Sequence, residues 1–171
     1  KDFIDGFLKS AHKILSNNEV IFVDNGSNDG SLEYLKKTTK KYNFCKVLRF
    51  TKKQSSYAAR NFGVAKASGK LLAFTDIDCI LTDSYVNYLE QKKNLIKDYL
   101  LTGPVNIFFK SKNIYEIFDK NTYLLQEEYA KNQYAATANL ITTREIFEKV
   151  GGFPEFTSGA DNKFCKKAEK L

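Results

Sequence analysis

The chain has 171 residues, of which 43% are hydrophobic and 27% are charged, so it can bury a core and is not a disordered polymer. The formal net charge is +7, and almost all of the excess is lysine, which is typical of solvated helix faces or of a surface that attracts anions. The length suits one domain, and no apolar run is long enough for a transmembrane helix. One histidine and three widely separated cysteines argue against a histidine-based triad and a Cys/His zinc site.

Short apolar runs alternate with helix-like periodicity along the whole chain. The first half predicts a helix over residues 3–16, a strand over 19–24, a helix from Ser31, a strand over 44–50, a helix over 55–67 and a strand over 71–75. The second half predicts a helix over 83–97, a strand over 99–107, a helix over 114–129, a strand over 138–141, a helix from Thr142 or Thr143 to Val150, and a helix over 161–171. This alternation indicates α/β architecture: βαβ units in a mostly parallel sheet with helices on both faces.

Polar clusters follow two of the predicted strands, at the edge where ligands bind in such sheets. Asp24-Asn25-Gly26-Ser27 follows the first strand, and Asp76-Ile77-Asp78 follows the third. Glycine lets the backbone approach a ligand closely, and the start of the next helix, capped by Asp29, favours an anion. Two carboxylates separated by one residue project to the same side of a strand and suit Mg²⁺ or Mn²⁺. The alternatives are an ordinary strand-to-helix turn for the first cluster and helix-capping aspartates for the second.

A third cluster precedes the last predicted helix, where Gly151-Gly152-Phe153-Pro154-Glu155 is followed by Ser158-Gly159-Ala160-Asp161. We expect Asp161 at the start of this helix, where the helix dipole stabilises a negative charge. A carboxylate that faces a hydroxyl nucleophile suits proton abstraction. A plain helix cap is the alternative interpretation of the same residue.

Four segments in order carry a resemblance that none of them carries alone. They are VDNGSNDGS, SSYAARNFGVAKASGKLLAFTDIDC, AATANLITTREIFEKVGGFPE and SGADNKFCKKA. Their order and spacing resemble the family-two glycosyltransferases, inverting enzymes with the GT-A fold, over essentially the whole chain. The SSYAARN and AFTD segments are similar to bacterial members that build cell-surface polysaccharides or glycolipids. The resemblance implies a single GT-A catalytic domain over residues 1–171, and we expect a fragment that lacks the first strand and the end of the domain.

The resemblance also implies a role for each polar residue. Those implied to bind a nucleoside-diphosphate sugar are Asp24, Asn25, Ser27, Arg60, Asn61 and Asp76. Asp76 and Asp78 match the metal-binding Asp-x-Asp motif, with Asp78 as the direct ligand of Mn²⁺ or Mg²⁺. Asp161 matches the catalytic base, and Asn139 lies where the family places acceptor-side residues. Many members carry Asp in place of Asn25, so the base preference of the donor stays open.

The implied function is a metal-assisted, inverting transfer of a sugar from a nucleoside-diphosphate sugar, with a UDP-sugar favoured, to a hydroxyl of a saccharide or lipid-linked acceptor. We expect a cytoplasmic enzyme of cell-envelope polysaccharide biosynthesis, peripherally associated with the inner face of the plasma membrane, with no nucleic-acid partner. A nucleotidyltransferase is the second interpretation, although the Gly-rich basic loop that it would need after the first strand is not visible. A non-catalytic module that binds sugar nucleotides is the third.

Overall fold

The computed structural model describes residues 1–15, 18–92, 96, 99–108, 113, 118 and 122–171. The helices are α1 (Asp2–Leu15), α2 (Ser31–Thr39), α3 (Ser56–Lys66), α4 (Asp83–Lys92), α5 (Gln126–Lys131), α6 (Arg144–Val150) and α7 (Ala160–Ala168). The strands are β1 (Val20–Asp24), β2 (Cys45–Arg49), β3 (Leu71–Thr75), β4 (Leu101–Thr102) and β5 (Asn139–Thr143). None of the helices in this part of the chain combines the length and the apolar composition that crossing a bilayer requires.

The described strands pair in two groups of different direction. β1 and β2 are parallel, with Val20 opposite Cys45. β5 lies between β3 and β4 and is antiparallel to both, with Thr75 opposite Asn139. The expected α/β class is confirmed, but antiparallel pairing takes a larger share of these strands than the sequence predicts. The long connection between β3 and β5 lets β5 return in either direction, and alternation of strands with helices does not decide which.

Helices cover both faces of β1. On one face, the Phe22 ring meets the Phe7 ring of α1 edge-on, with 5.5 Å between centroids. On the other face, Gly63 of α3 lies so close that a Cβ there would come within 3.1 Å of Val23 Cγ2. A glycine in this helix therefore permits a close helix-to-strand approach, and it brings α3 against the strand that ends in Asp24.

A second core is built from aromatic rings around Phe153. Its ring centroid lies 4.8 Å from that of Phe164, 5.0 Å from that of Phe74 and 5.4 Å from that of Phe147. All four side chains are buried. These tilted and edge-to-face contacts add to the burial of apolar area. They hold the loop after α6 in the space between α6, α7 and β3.

Only two residues of the predicted strand over 99–107 form a strand in the structure. β4 contains only Leu101 and Thr102, and residues 103–108 are irregular. Pro104 has no N–H to donate to a sheet neighbour. The carbonyl of Gly103 instead accepts a hydrogen bond from Nδ2 of Asn139 at 3.0 Å, so a side chain takes the place of a neighbouring strand.

Other predicted bounds agree with the structure where it describes them. β3 matches the predicted strand, and the helix over 55–67 is confirmed as α3, with the Ser55 side chain accepting from the N–H of Ala58. Asp29 accepts from the N–H of Ser31 at the start of α2, although Gly30 is the residue that adjoins the helix. Residues 114–117 and 119–121 of the predicted helix over 114–129, and most of residues 93–97 at the end of the one over 83–97, lie outside the described residues. The predicted helix over 114–129 is not continuous, because residues 123–125 are not helical and α5 begins at Gln126.

Arg144 at the start of α6 caps the end of α3. Its guanidinium donates to the carbonyls of Ala67 at 2.8 Å, Gly69 at 3.1 Å and Val64 at 3.2 Å. The last carbonyls of a helix have no partner within the helix, and a positive charge is favourable at that end. One side chain therefore joins the α3–β3 connection to the β5–α6 junction.

We predict that Arg144→Ala lowers the free energy of unfolding by about 2 kcal/mol, because it removes charge-assisted hydrogen bonds to three carbonyls. Urea denaturation of the purified protein measures this change. Lys149→Ala is the matched control, since Lys149 forms an exposed pair with Glu145 one turn along the same helix. That pair should contribute less than about 0.5 kcal/mol. Equal losses in the two variants would contradict the capping role.

Candidate active site

The polar cluster after β1 forms a tight turn around a buried carboxylate. Asp24 is buried, and its two oxygens accept from the N–H groups of Gly26 and Ser27, each at 3.2 Å. Nε of Arg49 lies 3.8 Å from the same carboxylate. Ser27 is exposed in this turn. Asp24 thus holds the turn in shape and stays next to a positive charge at the end of β2.

The Asn25 side chain is engaged within the chain. Its Nδ2 donates to the carbonyls of Phe50 and Lys53, both at 2.9 Å, and its Oδ1 accepts from the N–H of Ser55 at 3.0 Å. Both amide hydrogens are therefore used, and one lone pair of the oxygen remains. Asn25 joins the turn after β1 to the loop that leads into α3.

Arg60 of α3 forms an ion pair at the end of β3. Its Nη2 lies 2.5 Å from Oδ1 of Asp76, and its guanidinium carbon lies 5.5 Å from the centroid of the Tyr57 ring. Tyr57 and Arg60 are three residues apart and therefore share one face of the helix. The pair places a guanidinium, which suits diphosphate oxygens, beside a carboxylate, which suits a metal or a hydroxyl.

Asp76 and Asp78 are separated by a turn and not by an extended segment. β3 ends at Thr75, and the N–H of Cys79 donates to the carbonyl of Asp76 at 3.1 Å. The expectation that strand alternation projects both carboxylates to the same side therefore does not apply here. Asp78 is exposed. Within the described ranges, no group of three or more His, Cys, Asp or Glu side chains could hold a metal by itself.

The Asn61 side chain also binds backbone, in the loop that follows α6. Its Nδ2 donates to the carbonyl of Phe153 at 2.8 Å, and its Oδ1 accepts from the N–H of the same residue at 3.0 Å. This is the two-way pattern that a neighbouring strand would supply. Asn61 therefore fixes the loop between α6 and α7 to α3.

Asp161 lies in the first turn of α7, and only 5% of it is exposed. Its Oδ1 accepts from the N–H of Asn162 at 3.0 Å, and its Oδ2 accepts from the N–H of Thr137 at 3.3 Å. The helix N-terminus and these N–H donors stabilise the negative charge. The structure thus places the predicted base as a buried carboxylate with two backbone donors.

Gln126 fixes the segment from which Thr137 donates. The buried Gln126 amide donates to the carbonyl of Ala136 and accepts from its N–H, each at 3.0 Å. Ala136 directly precedes Thr137, so this side chain sets the position of the Asp161 donor. Nothing local in the sequence distinguishes Gln126 from an ordinary polar residue of a short helix.

Two tyrosines near Asp161 were not predicted from the sequence. Burial raises the pKa of the Tyr57 phenol, and the Asp161 charge and a hydrogen bond to its carboxylate raise it further. Burial, and then the charge of Asp161, also raises the pKa of Tyr134. Helical spacing was the available signal for Tyr57, because it lies one turn before Arg60 in the SSYAARN segment. No comparable signal exists for Tyr134.

Asn139 lies beside the end of β3, opposite Thr75 and one residue from Asp76 in the sheet register. Its Nδ2 binds the carbonyl of Gly103. Its Oδ1 is buried and has no hydrogen-bond partner in the described part of the chain. Buried polar atoms usually have a partner, so this oxygen is a candidate to receive a donor from a ligand.

The predicted residues therefore fall into two connected groups. In one group, Arg60 pairs with Asp76, Asn139 lies beside the end of β3, and Asp161 lies on the helix after the loop that Asn61 binds. The other group is the turn of Asp24, Asn25 and Ser27 at the end of β1. Asn25 links the second group to the first through the loop before α3.

The chain belongs to glycosyl transferase family 2, whose family model matches residues 1–151. The match contains both polar turns and the Arg60–Asp76 pair, and it ends before Asp161. The family and the fold expected from the sequence motifs are thereby confirmed.

A related sequence supports this family, and two solved structures share the fold. The chain is 34% identical to the glycosyltransferase AglE of Haloferax volcanii over 156 residues, which cover 88% of this chain and 50% of that protein. The structure of S. aureus TarS 1–349 in complex with UDP-GlcNAc has a TM-score of 0.71 at 20% identity, covering 98% of this chain and 50% of that one. The mannosyltransferase PcManGT from Pyrobaculum calidifontis, in complex with GDP-Man and Mn²⁺, has a TM-score of 0.69 at 19% identity, covering 98% and 48%. The chain spans about half the length of AglE and of the two solved chains.

We predict that Gly152→Ala destabilises the protein more than Gly151→Ala does. Both glycines have positive φ, 74° and 85°, but a Cβ at Gly152 would lie 3.0 Å from Asn61 Oδ1, whereas a Cβ at Gly151 meets open space. Each variant should lose about 1 kcal/mol from the left-handed backbone. Disturbing the Asn61 bond should cost Gly152→Ala roughly 1 kcal/mol more in urea denaturation.

The Asn61→Ala background supplies the control for this pair. With the amide removed, the two glycine substitutions should lower the free energy of unfolding equally. A difference that persists in that background would show that the Asn61 amide is not its cause.

Proposed function

We propose that the protein transfers a sugar from a nucleoside-diphosphate sugar to a hydroxyl group of an acceptor, with inversion at the anomeric carbon. The observation that carries this proposal is the Arg60–Asp76 ion pair on α3, together with the buried Asp161 carboxylate of α7, whose preceding loop is bound by Asn61 of α3. Membership of glycosyl transferase family 2 supports the same reaction. Release of the donor nucleotide and activation of the acceptor both require such groups close together.

The donor side comprises Asp24, Ser27, Arg60 and Asp76. Asp24 and the exposed Ser27 are proposed to contact the nucleoside, and Arg60 the diphosphate. Because the amides of Asn25 and Asn61 are engaged with backbone, we assign them to shaping the pocket through the loops that they hold. The UDP-GlcNAc and GDP-Man of the similar solved structures support a nucleotide-sugar donor, and we favour a UDP-sugar.

A divalent cation, Mn²⁺ or Mg²⁺, fits the two aspartates that flank the turn after β3. Asp78 is exposed, and one oxygen of Asp76 holds Arg60, so the chain offers few ligands. Hard cations of this kind take carboxylates together with phosphate oxygens and water. The residues present fit a cation that the donor diphosphate helps to hold, with Asp78 as the direct protein ligand. Such a cation supplies positive charge against the leaving nucleoside diphosphate.

Asp161 is proposed as the general base. It takes the proton of the acceptor hydroxyl as that oxygen forms a bond to C1 of the donor sugar, and the C1–oxygen bond to the diphosphate breaks with its electron pair. The N–H donors of Thr137 and Asn162 hold the carboxylate during this step. Asn139 Oδ1, which lacks a partner among the described residues, is proposed to accept from another acceptor hydroxyl. We also propose a saccharide or lipid-linked acceptor and a cytoplasmic location at the inner face of the membrane.

We predict that incubation with UDP- and GDP-sugars and Mn²⁺ releases the nucleoside diphosphate, measured by a coupled nucleotide assay. Asp78→Asn should raise the Mn²⁺ concentration for half-maximal release about tenfold or more, because it removes a charged ligand. Asp83→Asn, an acidic residue at the start of α4, is the control. Release of pyrophosphate would favour a nucleotidyltransferase, and binding without release would favour a non-catalytic module. Either outcome would contradict the proposal.

We predict that Asp161→Asn abolishes sugar transfer while donor binding stays nearly intact. The isosteric amide retains the shape of the side chain but is no longer a base at neutral pH. Transfer is measured by product formation and donor binding by calorimetry with UDP and Mn²⁺. Equal loss of transfer and of binding would contradict the assignment of the base.

A further inference from the structure

The Ser55 hydroxyl forms two hydrogen bonds at the start of α3. It accepts from the N–H of Ala58 at 3.3 Å, which makes Ser55 the cap of the helix, and it donates to the carbonyl of Phe156 at 2.8 Å. A hydroxyl has one proton and two lone pairs, so it can form both bonds at once. The partners of the second bond are 101 positions apart in the chain. Ser55 therefore joins α3 to the loop that precedes α7.

Helix capping alone does not account for the second bond. A cap needs only an acceptor, and Asp or Asn caps a helix as well as Ser does. The Ser55 proton instead goes to the carbonyl of Phe156, at a distance typical of a good O–H···O bond. Ser55 is 5% exposed, and a buried hydroxyl that lost this acceptor would be costly. The bond to Phe156 is therefore a role of this side chain that is separate from the cap.

The backbone of Ser55 contacts the donor side of the proposed site. Its N–H donates to Oδ1 of Asn25 at 3.0 Å, and Asn25 follows Asp24 in the turn after β1. Neither atom of this bond belongs to the Ser55 side chain, so a substitution of that side chain leaves the bond available. Ser55 thus lies between the turn after β1 and the loop before α7.

The segment that Ser55 holds is exposed and leads to the candidate base. Residues 155–159 are exposed, and Phe156 lies five residues before Asp161. Nζ of Lys163 lies 4.7 Å from the centroid of the Phe156 ring, so Phe156 also contacts α7 itself, two residues beyond Asp161. The contacts of Phe156 therefore connect the start of α3 to the helix that carries Asp161.

An ion pair on the same segment provides a weaker hold. Nζ of Lys53 lies 3.2 Å from Oε2 of Glu155, and each of these side chains is close to half exposed. Exposed ion pairs of this kind contribute little, because water and salt screen them. The Ser55 hydroxyl donates from a buried position, where a hydrogen bond is electrostatically stronger. Ser55 therefore holds this segment more firmly than the ion pair does.

We propose that Ser55 is a positioning residue: its hydroxyl holds the segment before α7 against the start of α3, and so keeps the Asp161 carboxylate in place for the acceptor hydroxyl. This inference rests on the proposed function, because it takes Asp161 as the base. Ser55→Ala removes the bond to Phe156 and the cap, whereas Ser55→Thr keeps a hydroxyl for both. The N–H that binds Asn25 is present in each variant.

The kinetic test compares kcat, the donor KM and the affinity for UDP with Mn²⁺ in the full chain and its variants. Ser55→Ala should lower kcat about fivefold or more, because a base that can shift out of place is poorly aligned with the acceptor. The donor KM and the UDP affinity should stay unchanged, because the N–H bond to Asn25 remains. Ser55→Thr should restore most of kcat.

Amide hydrogen exchange over residues 156–163 tests the hold on the segment without any turnover. The N–H of Lys163 donates to the carbonyl of Gly159 at 3.3 Å within this stretch. Ser55→Ala should speed the exchange, because opening of the segment then no longer requires the Ser55 bond to break. Ser55→Thr should leave the exchange close to that of the wild type.

Thr143→Ala is the matched control. Thr143 caps α6, where its Oγ1 accepts from the N–H of Ile146 at 3.1 Å, in the role that Ser55 has towards Ala58. Each alanine variant loses one cap and should melt at a similarly lowered temperature, but Thr143→Ala should leave kcat and the exchange over residues 156–163 unchanged. If Ser55→Ala does not fold, Ser55→Gly decides, because glycine costs little at a helix cap and also lacks the hydroxyl.

The outcomes separate this inference from the proposed function. Wild-type transfer with an unchanged kcat in Ser55→Ala would overturn the positioning role and leave the function standing. An equal fall of kcat in Thr143→Ala, or a fall of UDP affinity as large as that of kcat in Ser55→Ala, would also overturn it. A wild type that binds UDP without transfer would overturn the proposed function and the catalytic part of this inference, whereas unchanged exchange in Ser55→Ala would overturn the hold on the segment.

Discussion

The two-way hydrogen bond between the Asn61 amide and the Phe153 backbone is the constraint on which the candidate site depends. It satisfies a buried N–H and a buried carbonyl that would otherwise be costly, and it lets the Phe153 ring enter the aromatic core. The two residues are 92 positions apart in the chain. The loop that they fix leads directly into α7, so the position of Asp161 follows from this contact.

Three side-chain amides each bind the backbone of an irregular segment near the candidate site. Asn25 binds the loop before the helix, Asn61 binds the loop before α7, and Gln126 binds Ala136 next to the Thr137 donor. Each amide offers a donor and an acceptor, so it can replace a missing strand neighbour. Irregular segments are thereby held firmly enough to carry charged groups, while α3 supplies Arg60 and β3 leads directly into Asp76. A site of this kind combines loop-borne groups with a rigid frame.

Elements with strong local signals were predicted well, and those without were not. The apolar run of β3, the Ser55 cap of α3 and the Gly151 end of α6 are local features, and the structure confirms them. The predicted strand over 99–107 was wrong beyond β4 because an apolar run favours a strand only where a neighbour can pair with it. Pro104 donates no hydrogen bond, and the Asn139 side chain occupies the Gly103 carbonyl.

The sequence by itself determined the family, the order of strands and helices at the strong signals, and the identity of the candidate residues, because motifs and caps are short-range patterns. Only the tertiary structure decided how these residues are used. It engages Asn25 and Asn61 with distant backbone, pairs Arg60 with Asp76, and brings the N–H of Thr137 to Asp161. Such contacts join residues far apart in the chain, and the free energy of burying each polar group depends on a partner that no local pattern reveals.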